Sequence, residues 1–197
     1  YALLNGDRLT GVTSFFIEKT LDTGKILLQK SLEILPCDDA KTLFEKLVNL
    51  GIIVMDESLD LLKTQNFKTF VQTGAVSFAP AFKKNDGLIN WRLSAAEICN
   101  KVRALVLWPG AWAFFLGQKF YAKRLKIVRA KIIENESANE DFGAIDDFKK
   151  HGGFSVLCGR GKILVEALQV EGKGICKAWD FLQGAKISKG DKLGNIS

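Results

Sequence analysis

The sequence has 197 residues, is 47% apolar and 25% charged, and carries a net charge of +6. These values are ordinary for a globular protein and suit one large domain or two small ones. No apolar run approaches the roughly 20 residues of a membrane-spanning helix, which excludes an integral helical membrane protein, and the first 20 residues have no signal-peptide pattern. We therefore expect a monomeric, cytoplasmic protein that binds no membrane.

The charge is distributed unevenly along the chain. Residues 1–80 have a net charge of −2, whereas residues 81–197 have a net charge of +8. Such an asymmetry predicts two domains, the second with a polyanionic partner such as a nucleic acid. The alternative is a basic domain whose charges are simply solvated.

Cysteine and histidine usage argues against a metal site. The only histidine is His151, and the cysteines form no C-x-x-C pair, whereas a zinc site needs a tight cluster of ligands. We expect no metal and four reduced thiols. The cysteines are Cys37, Cys99, Cys158 and Cys176.

The first third of the chain reads as part of an α/β layer. Its apolar pattern predicts a strand, a turn, a second strand and a long helix, at 11–19, 21–24, 25–35 and about 38–62. Asp38 or Asp39 suits the cap of that helix, because an aspartate oxygen accepts hydrogen bonds from the first free N–H groups. Residues 64–90 lack clear periodicity and predict an extended crossing between domains.

The remainder of the chain predicts a helix followed by a small β-rich fold. Ser94 and Glu97 form a capping box before a helix that Trp108, Pro109 and Gly110 end. Short alternating segments separated by glycine turns then favour a small barrel or sandwich. We expect strands at 111–115, 119–129, 154–157 and 162–170, a loose loop at 135–141, and a helix at 177–183 that ends at Gly184.

Basic residues and tryptophans suggest where a nucleic acid would bind. Residues 119–124 interleave aromatic and basic side chains, as one face of a nucleic-acid-binding strand does, although a solvated strand face has the same pattern. We expect the four tryptophans to be packed in the core. The basic candidates are Lys83, Lys84, Lys101, Arg103, Lys119, Lys123, Arg124 and Lys126.

Three motifs, in this order and spacing, resemble the methionyl-tRNA formyltransferase family. The first joins Gly11–Thr13 to Leu21–Gly24 and is similar to the family's G-V-T…L-D-T-G segment. The second, residues 79–95, resembles its A-P-K-I-x-K-E-D-G-R-I-D-W…S-A linker, with substitutions at several positions. The third, residues 102–112, is similar to I-R-A-x-x-P-W-P-G-A-W.

The resemblance implies a fold and a division into domains. Residues 1–65 would be the C-terminal part of a Rossmann-like, α/β formyltransferase domain. Residues 66–90 would be a linker, and residues 91–197 a β-rich, OB-like barrel that binds tRNA. The family's catalytic asparagine and histidine match nothing in this chain, and the first residue is Tyr1 rather than Met. The resemblance therefore suggests a piece of a longer enzyme, inactive by itself.

The resemblance also implies a reaction: formyl transfer from 10-formyltetrahydrofolate to the amino group of methionyl initiator tRNA. Asp22 matches the catalytic aspartate, which would orient an imidazole and raise its pKa. Leu21, Asp22, Thr23 and Gly24 would line the folate site. From the tetrapeptide alone, an Asx-turn onto Gly24 is the favoured interpretation of Asp22, and the flanking resemblance shifts the balance to the catalytic role. A related enzyme acting on an amino-sugar nucleotide, and a non-catalytic RNA-binding module, remain as alternatives.

Overall fold

The computed structural model describes residues 1–65, 67–117, 122–185 and 187–196, which form two compact units. Residues 7–80 make up most of the first unit, and residues 81–197 most of the second. The N-terminal turn, α1 (Ala2–Asn5), groups largely with the second unit. There the ring of Tyr1 stacks on that of Phe82, with the centroids 4.7 Å apart.

The first unit is an antiparallel hairpin covered by one long helix. Strands β1 (Leu9–Phe15) and β2 (Ile26–Glu33) pair with each other, and α2 (Ala40–Thr64) packs on both. The predicted strand at 11–19 is displaced, because the pairing becomes irregular at Ser14 and Phe15 and the chain then leaves the ladder. The predicted second strand and helix are confirmed within two residues at each end.

Helix α2 begins where the sequence pattern indicated. The Asp39 carboxylate accepts from the backbone N–H groups of Lys41 and Thr42, both at 2.9 Å, and the Thr42 hydroxyl accepts from the Asp39 N–H. Asp39 is therefore the cap, as predicted for Asp38 or Asp39. Asp38 instead turns inward, where it forms an ion pair with Lys46. The helix ends at Gln65, whose φ is 53°.

The second unit opens with a short segment that docks against a helix and a strand. A 3₁₀ turn (Lys84–Gly87) is followed by α3 (Ala95–Ala104), with the predicted Ser94–Glu97 capping box in place, and by β3 (Ala111–Phe115). The corner between α3 and β3 contains a cis bond between Trp108 and Pro109, and Gly110 there has a φ of 82°.

Most of the second unit is one seven-stranded antiparallel sheet. Its remaining elements are β4 (Lys123–Ala138), β5 (Ile145–Lys149), β6 (Gly153–Leu157), β7 (Arg160–Val170), β8 (Ile175–Lys177), α4 (Ala178–Ala185) and β9 (Leu193–Gly194). The strand order is β5-β6-β7-β4-β3-β9, and β8 also pairs with β7. Helix α4 packs against β6, β7 and β8.

The sheet curls until its two edges are joined. The Leu193 N–H donates to the Gly143 carbonyl, and the Ile145 N–H to the Asp191 carbonyl, both at 2.8 Å. A curled sheet is what the predicted barrel requires, because joined edges leave fewer unpaired backbone groups. Its interior holds the core, in which Phe115, Phe154 and other apolar side chains are almost fully buried.

Several sequence expectations for this unit need correction. The predicted loop at 135–141 is wrong in its first part, because β4 continues to Ala138 and pairs there with β7 at Arg160. The polar side chains of this stretch lie on an exposed ribbon, where burial does not select apolar residues. Strands β5, β8 and β9 were missed. Helix α4 includes Gly184 instead of ending before it.

Candidate active-site turn and nucleic-acid interface

Asp22 lies in the turn between β1 and β2, and a side-chain hydrogen bond holds its backbone in place. Its φ of 56° is in the left-handed region, and its side chain is exposed. The Gln72 side-chain amide donates to the carbonyl of Asp22 at 2.9 Å and to that of Gly24 at 2.8 Å. The Thr23 hydroxyl donates to the Thr20 carbonyl at 3.1 Å. The turn therefore presents the carboxylate outward from an anchored main chain.

Gly24 is required by close approach of another backbone segment. A Cβ at this position would lie 1.6 Å from the Phe16 carbonyl oxygen, which no side chain can tolerate. Phe16 and Lys25 are joined next to it by a backbone hydrogen bond of 3.0 Å. The glycine in the predicted L-D-T-G turn thus lets the two ends of the turn come together.

The Asx-turn alternative for Asp22 is not seen. Within the described residues, no hydrogen bond joins the Asp22 carboxylate to the Gly24 N–H. The only histidine of the chain, His151, belongs to the other compact unit, where its ring lies 5.7 Å from that of Trp179. Asp22 therefore has an exposed carboxylate, a turn that fixes its position, and no imidazole in its own unit.

A second candidate surface lies on β3 and β4. The pairing of these strands sets Trp112 opposite Lys126, and Phe114 opposite Arg124. Side chains of directly opposed residues point to the same side of a sheet, so aromatic and cationic groups alternate there. The Arg124 guanidinium lies over the Trp112 ring, 5.6 Å from its centroid, and forms an ion pair with Glu171 at 3.2 Å.

This surface borders a cleft of about 300 Å³, which we call the Trp108 cleft. Three of the eight predicted tRNA-binding residues, Lys84, Arg124 and Lys126, line it together. The Lys126 ammonium donates to the Val106 carbonyl at 3.3 Å. Among the described residues, the lining consists of Lys84, Trp108, Pro109, Trp112, Arg124, Lys126, Gln169, Glu171 and Gly172.

Of the other five predicted cations, four are among the described residues, and none of these four lines the cleft. Lys83 and Lys123 are exposed, and each is adjacent in sequence to a residue that lines the cleft. Lys101 is half-buried, and its ammonium donates to the Leu88 carbonyl at 2.7 Å. Burial lowers the pKa of Lys101, and the nearby Asp86 charge only partly offsets that effect. Lys101 therefore also holds the segment before α3 in place.

Of the last two predicted cations, Arg103 has a structural partner and Lys119 lies outside the described residues. The Arg103 Nε donates to the Asn100 side-chain oxygen at 3.0 Å. Lys119 and its neighbours 118, 120 and 121 lie outside the described residues, so the first part of the predicted strand 119–129 does too.

The tryptophans divide into core and surface residues. Trp91 and Trp112 are only 4% and 8% exposed, which confirms core packing for these two. Trp179 is half-buried. The prediction is wrong for Trp108, which is 57% exposed, because the corner after α3 turns its side chain away from the sheet interior. The adjoining Pro109-Gly110 pair is the sequence signal for such a corner.

The described residues include neither a metal-ligand cluster nor a membrane-spanning helix. No cluster of three or more histidine, cysteine or acidic side chains suited to a metal ion occurs in the part of the chain that the structure describes. Among the same residues, no helix has the length and apolar character needed to cross a bilayer.

Comparison with known proteins gives matches along most of the chain. The family described as "Formyl transferase, C-terminal domain" matches residues 81–186, and that described as "Formyl transferase" matches residues 1–59. A methionyl-tRNA formyltransferase of Endomicrobium trichonymphae is 44% identical over 193 residues, which is 98% of this chain and 62% of that protein. The chain thus spans less than two thirds of that curated relative.

Solved structures share the fold at low sequence identity. HypX from Aquifex aeolicus, in complex with tetrahydrofolic acid, aligns with 99% of this chain and 35% of its own, with a TM-score of 0.63 and 15% identity. An N-formyltransferase from Helicobacter canadensis, in complex with folinic acid and dTDP-3-aminofucose, aligns with 83% of this chain and 58% of its own, with a TM-score of 0.62 and 20% identity. Since the C-terminal family profile alone covers more than half of the sequence, the chain belongs to the formyl transferase family.

Proposed function

We propose that this chain serves in the transfer of a formyl group from 10-formyltetrahydrofolate to the amino group of methionyl initiator tRNA, the step that prepares the tRNA for translation initiation. The observation that carries the proposal is its 44% identity, along 98% of its length, to a relative named for that activity. The division proposed is a catalytic part at 1–65, a linker at 66–90 and an OB-like tRNA-binding domain at 91–197.

In this proposal Asp22 supports proton transfer. The attacking amine must lose protons as the carbon–nitrogen bond forms, and the departing folate nitrogen must gain one, so the site needs an acid–base group. The proposed acid–base group is a histidine from outside these 197 residues, and the asparagine that stabilises the oxyanion comes from there too. A carboxylate held rigidly beside an imidazole orients it and raises its pKa. The anchored backbone of Asp22 supports this role.

The formyl donor supplies the carbon that is transferred, and the turn at Leu21–Gly24 is the proposed rim of its pocket. Leu21 is 90% exposed, which leaves an apolar side chain open to a planar ring. The carbonyls of Asp22 and Gly24 each accept from Gln72 and retain a second lone pair for a ligand donor. These features fit a folate held against the turn.

The second unit is the proposed binder of the tRNA. Its net charge of +8 suits a polyanion, because lysine and arginine release counterions when they neutralise phosphates. The convergence of Lys84, Arg124 and Lys126 on one cleft adds a specific location. We keep all eight cations in the proposal, with Lys101 and Arg103 as weaker contributors, since each also holds neighbouring structure.

A related transfer to an amino-sugar nucleotide is the second candidate. It is favoured by the fold of the Helicobacter canadensis enzyme, which was crystallised with such a nucleotide. The broad positive charge of the second unit argues against it, because a single diphosphate does not require a surface of that extent.

The test is formyl transfer by the complete gene product from 10-formyltetrahydrofolate to two acceptors, charged initiator tRNA and dTDP-3-aminofucose. We expect transfer to the tRNA, with a KM that rises steeply with salt, and none to the sugar. Initiator tRNA whose methionine is N-acetylated is the control, since it binds but offers no amine. Transfer to the sugar alone, or salt-sensitive tRNA binding without transfer, would overturn the proposal.

A further inference from the structure

Trp108 is a large apolar side chain left open to solvent beside a positively charged cleft. It is 57% exposed, although Trp91 and Trp112 in the same unit are buried. At binding sites, the large flat ring of a tryptophan provides a contact surface for other flat groups. Trp108 lines the cleft, so the ring and the cations face the same space.

The charges of the Trp108 cleft favour an anionic ligand. Of the residues that the structure describes, three cationic side chains and one carboxylate line it, and that carboxylate, Glu171, is paired with Arg124. Lys84 is exposed at the rim. Lys126 donates one of its three ammonium hydrogens to the Val106 carbonyl, which leaves two for a ligand.

The cleft has the dimensions of a small-ligand site. Its volume of about 300 Å³ lies at the lower end of the range for such pockets. Aromatic and guanidinium planes are the surfaces on which unpaired bases stack, whereas bases inside a helix are already stacked on each other. The cleft offers the Trp108 ring, the Arg124 guanidinium above Trp112, and phosphate-binding ammonium groups.

We infer that the Trp108 cleft binds one unpaired nucleotide of the tRNA, with its base stacked on Trp108 and its phosphate against Lys84 and Lys126. The inference rests on the proposed function, and adds to it a stacking residue and a single-nucleotide subsite. It separates two kinds of contribution: Trp108 supplies base stacking, which depends little on salt, while Lys84 and Lys126 supply salt-dependent attraction.

The experiment measures binding of fluorescently labelled initiator tRNA and of a short oligouridine to the complete gene product over a range of salt concentrations. Stacking on an aromatic side chain predicts that Trp108→Ala weakens both affinities about ten-fold, with an unchanged salt slope. Trp108→Phe retains a ring and recovers most of the affinity. Lys84→Gln lowers the salt slope by about one instead. Leu107→Ala is the matched control, since Leu107 is 61% exposed next to Trp108 but does not line the cleft.

The outcomes separate this inference from the proposed function. If the unchanged chain binds oligouridine through Trp108 but does not bind tRNA, the subsite stands and the proposed function fails. If it binds tRNA with salt sensitivity while Trp108→Ala and Leu107→Ala both match it, the subsite is overturned and the proposed function stands. If the unchanged protein binds neither RNA, both the subsite and the proposed function are overturned. Equal thermal midpoints for all variants exclude a folding defect.

Discussion

The guanidinium of Arg124 lies over the ring of Trp112, with its central carbon 5.6 Å from the ring centroid. The two residues are on neighbouring strands, since Arg124 is paired with Phe114, two positions after Trp112. A cation over an aromatic face is attracted by the ring's negative potential. The stacked ring thus directs the arginine toward the cleft, where Glu171 takes part of its hydrogen-bonding capacity.

Glu171 limits the affinity of the cleft for an anion. We expect Glu171→Gln to tighten tRNA binding about two- to five-fold, the range that one partly exposed ion pair is worth. The measurement is the dissociation constant at low and moderate salt, with a larger gain at low salt. Glu140→Gln, at another exposed acidic position of the same unit, is the control and leaves affinity unchanged. Weaker binding by Glu171→Gln would mean that Glu171 positions Arg124 rather than competing for it.

Substitution of Gly24 tests whether the Asp22 turn depends on the close approach of the Gly24 and Phe16 backbones. Gly24→Ala places a methyl group against the Phe16 carbonyl, so the free energy of unfolding falls by about 2–3 kcal/mol or more. Gly51→Ala is the control in the same unit, because no atom lies within 4 Å of its added methyl and alanine favours the helix. It raises stability by about 0.5–1 kcal/mol. Urea denaturation of both variants measures these opposite changes, and a neutral Gly24→Ala would contradict the geometry of the turn.

Asp38 gives the first unit an acid-sensitive contact. Burial by itself raises the pKa of this carboxyl, but hydrogen bonds from Lys46, Leu35 and Thr42 outweigh burial and hold the pKa below its ordinary value of 3.8. The Lys46 ammonium lies 2.6 and 2.8 Å from its two oxygens. Because the folded pKa is depressed, the stabilisation is complete above the unfolded value and is lost as the pH falls through it toward the folded value.

Asp38→Asn removes that contact. We expect the free energy of unfolding at neutral pH to fall by about 1–3 kcal/mol, because the substitution removes the charge that Lys46 pairs with and weakens its hydrogen bond. Below pH 4 the difference from the unchanged chain narrows. Denaturant midpoints across this pH range provide the measurement, and Asp56→Asn, at an exposed position of α2, shows neither effect. A pH-independent difference would contradict the ion pair.

Local signals in the sequence were sufficient to predict where helices α2 and α3 begin. The Ser94–Glu97 box and the aspartate before α2 act within one helical turn, so their residue types alone locate the caps. The apolar pattern likewise located β2, one face of which is half-buried, and β3, which is buried almost throughout. Strand β9 contains two residues, and the hydrogen bond from its Leu193 to Gly143 joins positions fifty residues apart, which no local pattern encodes.

The candidate sites show the same division between local and distant determinants. The turn around Asp22 was predicted from adjacent residues, whereas its anchor, Gln72, lies fifty residues away and carries no sequence signal. Charge predicted a basic second unit but did not separate Lys84, which lines the cleft, from Lys101, whose ammonium is committed to the Leu88 carbonyl. That distinction depends on burial, which is a property of the folded chain.

Turnover of the Asp22→Asn variant tests the central proposal most directly. The complete gene product would be assayed for formyl transfer to charged initiator tRNA, beside Asp56→Asn as an exposed acidic control. Loss of a group that supports acid–base catalysis predicts a fall in kcat of about 100-fold or more, with the KM for tRNA little changed. Asp56→Asn would retain full turnover. A kcat for Asp22→Asn close to that of the unchanged enzyme would contradict the account.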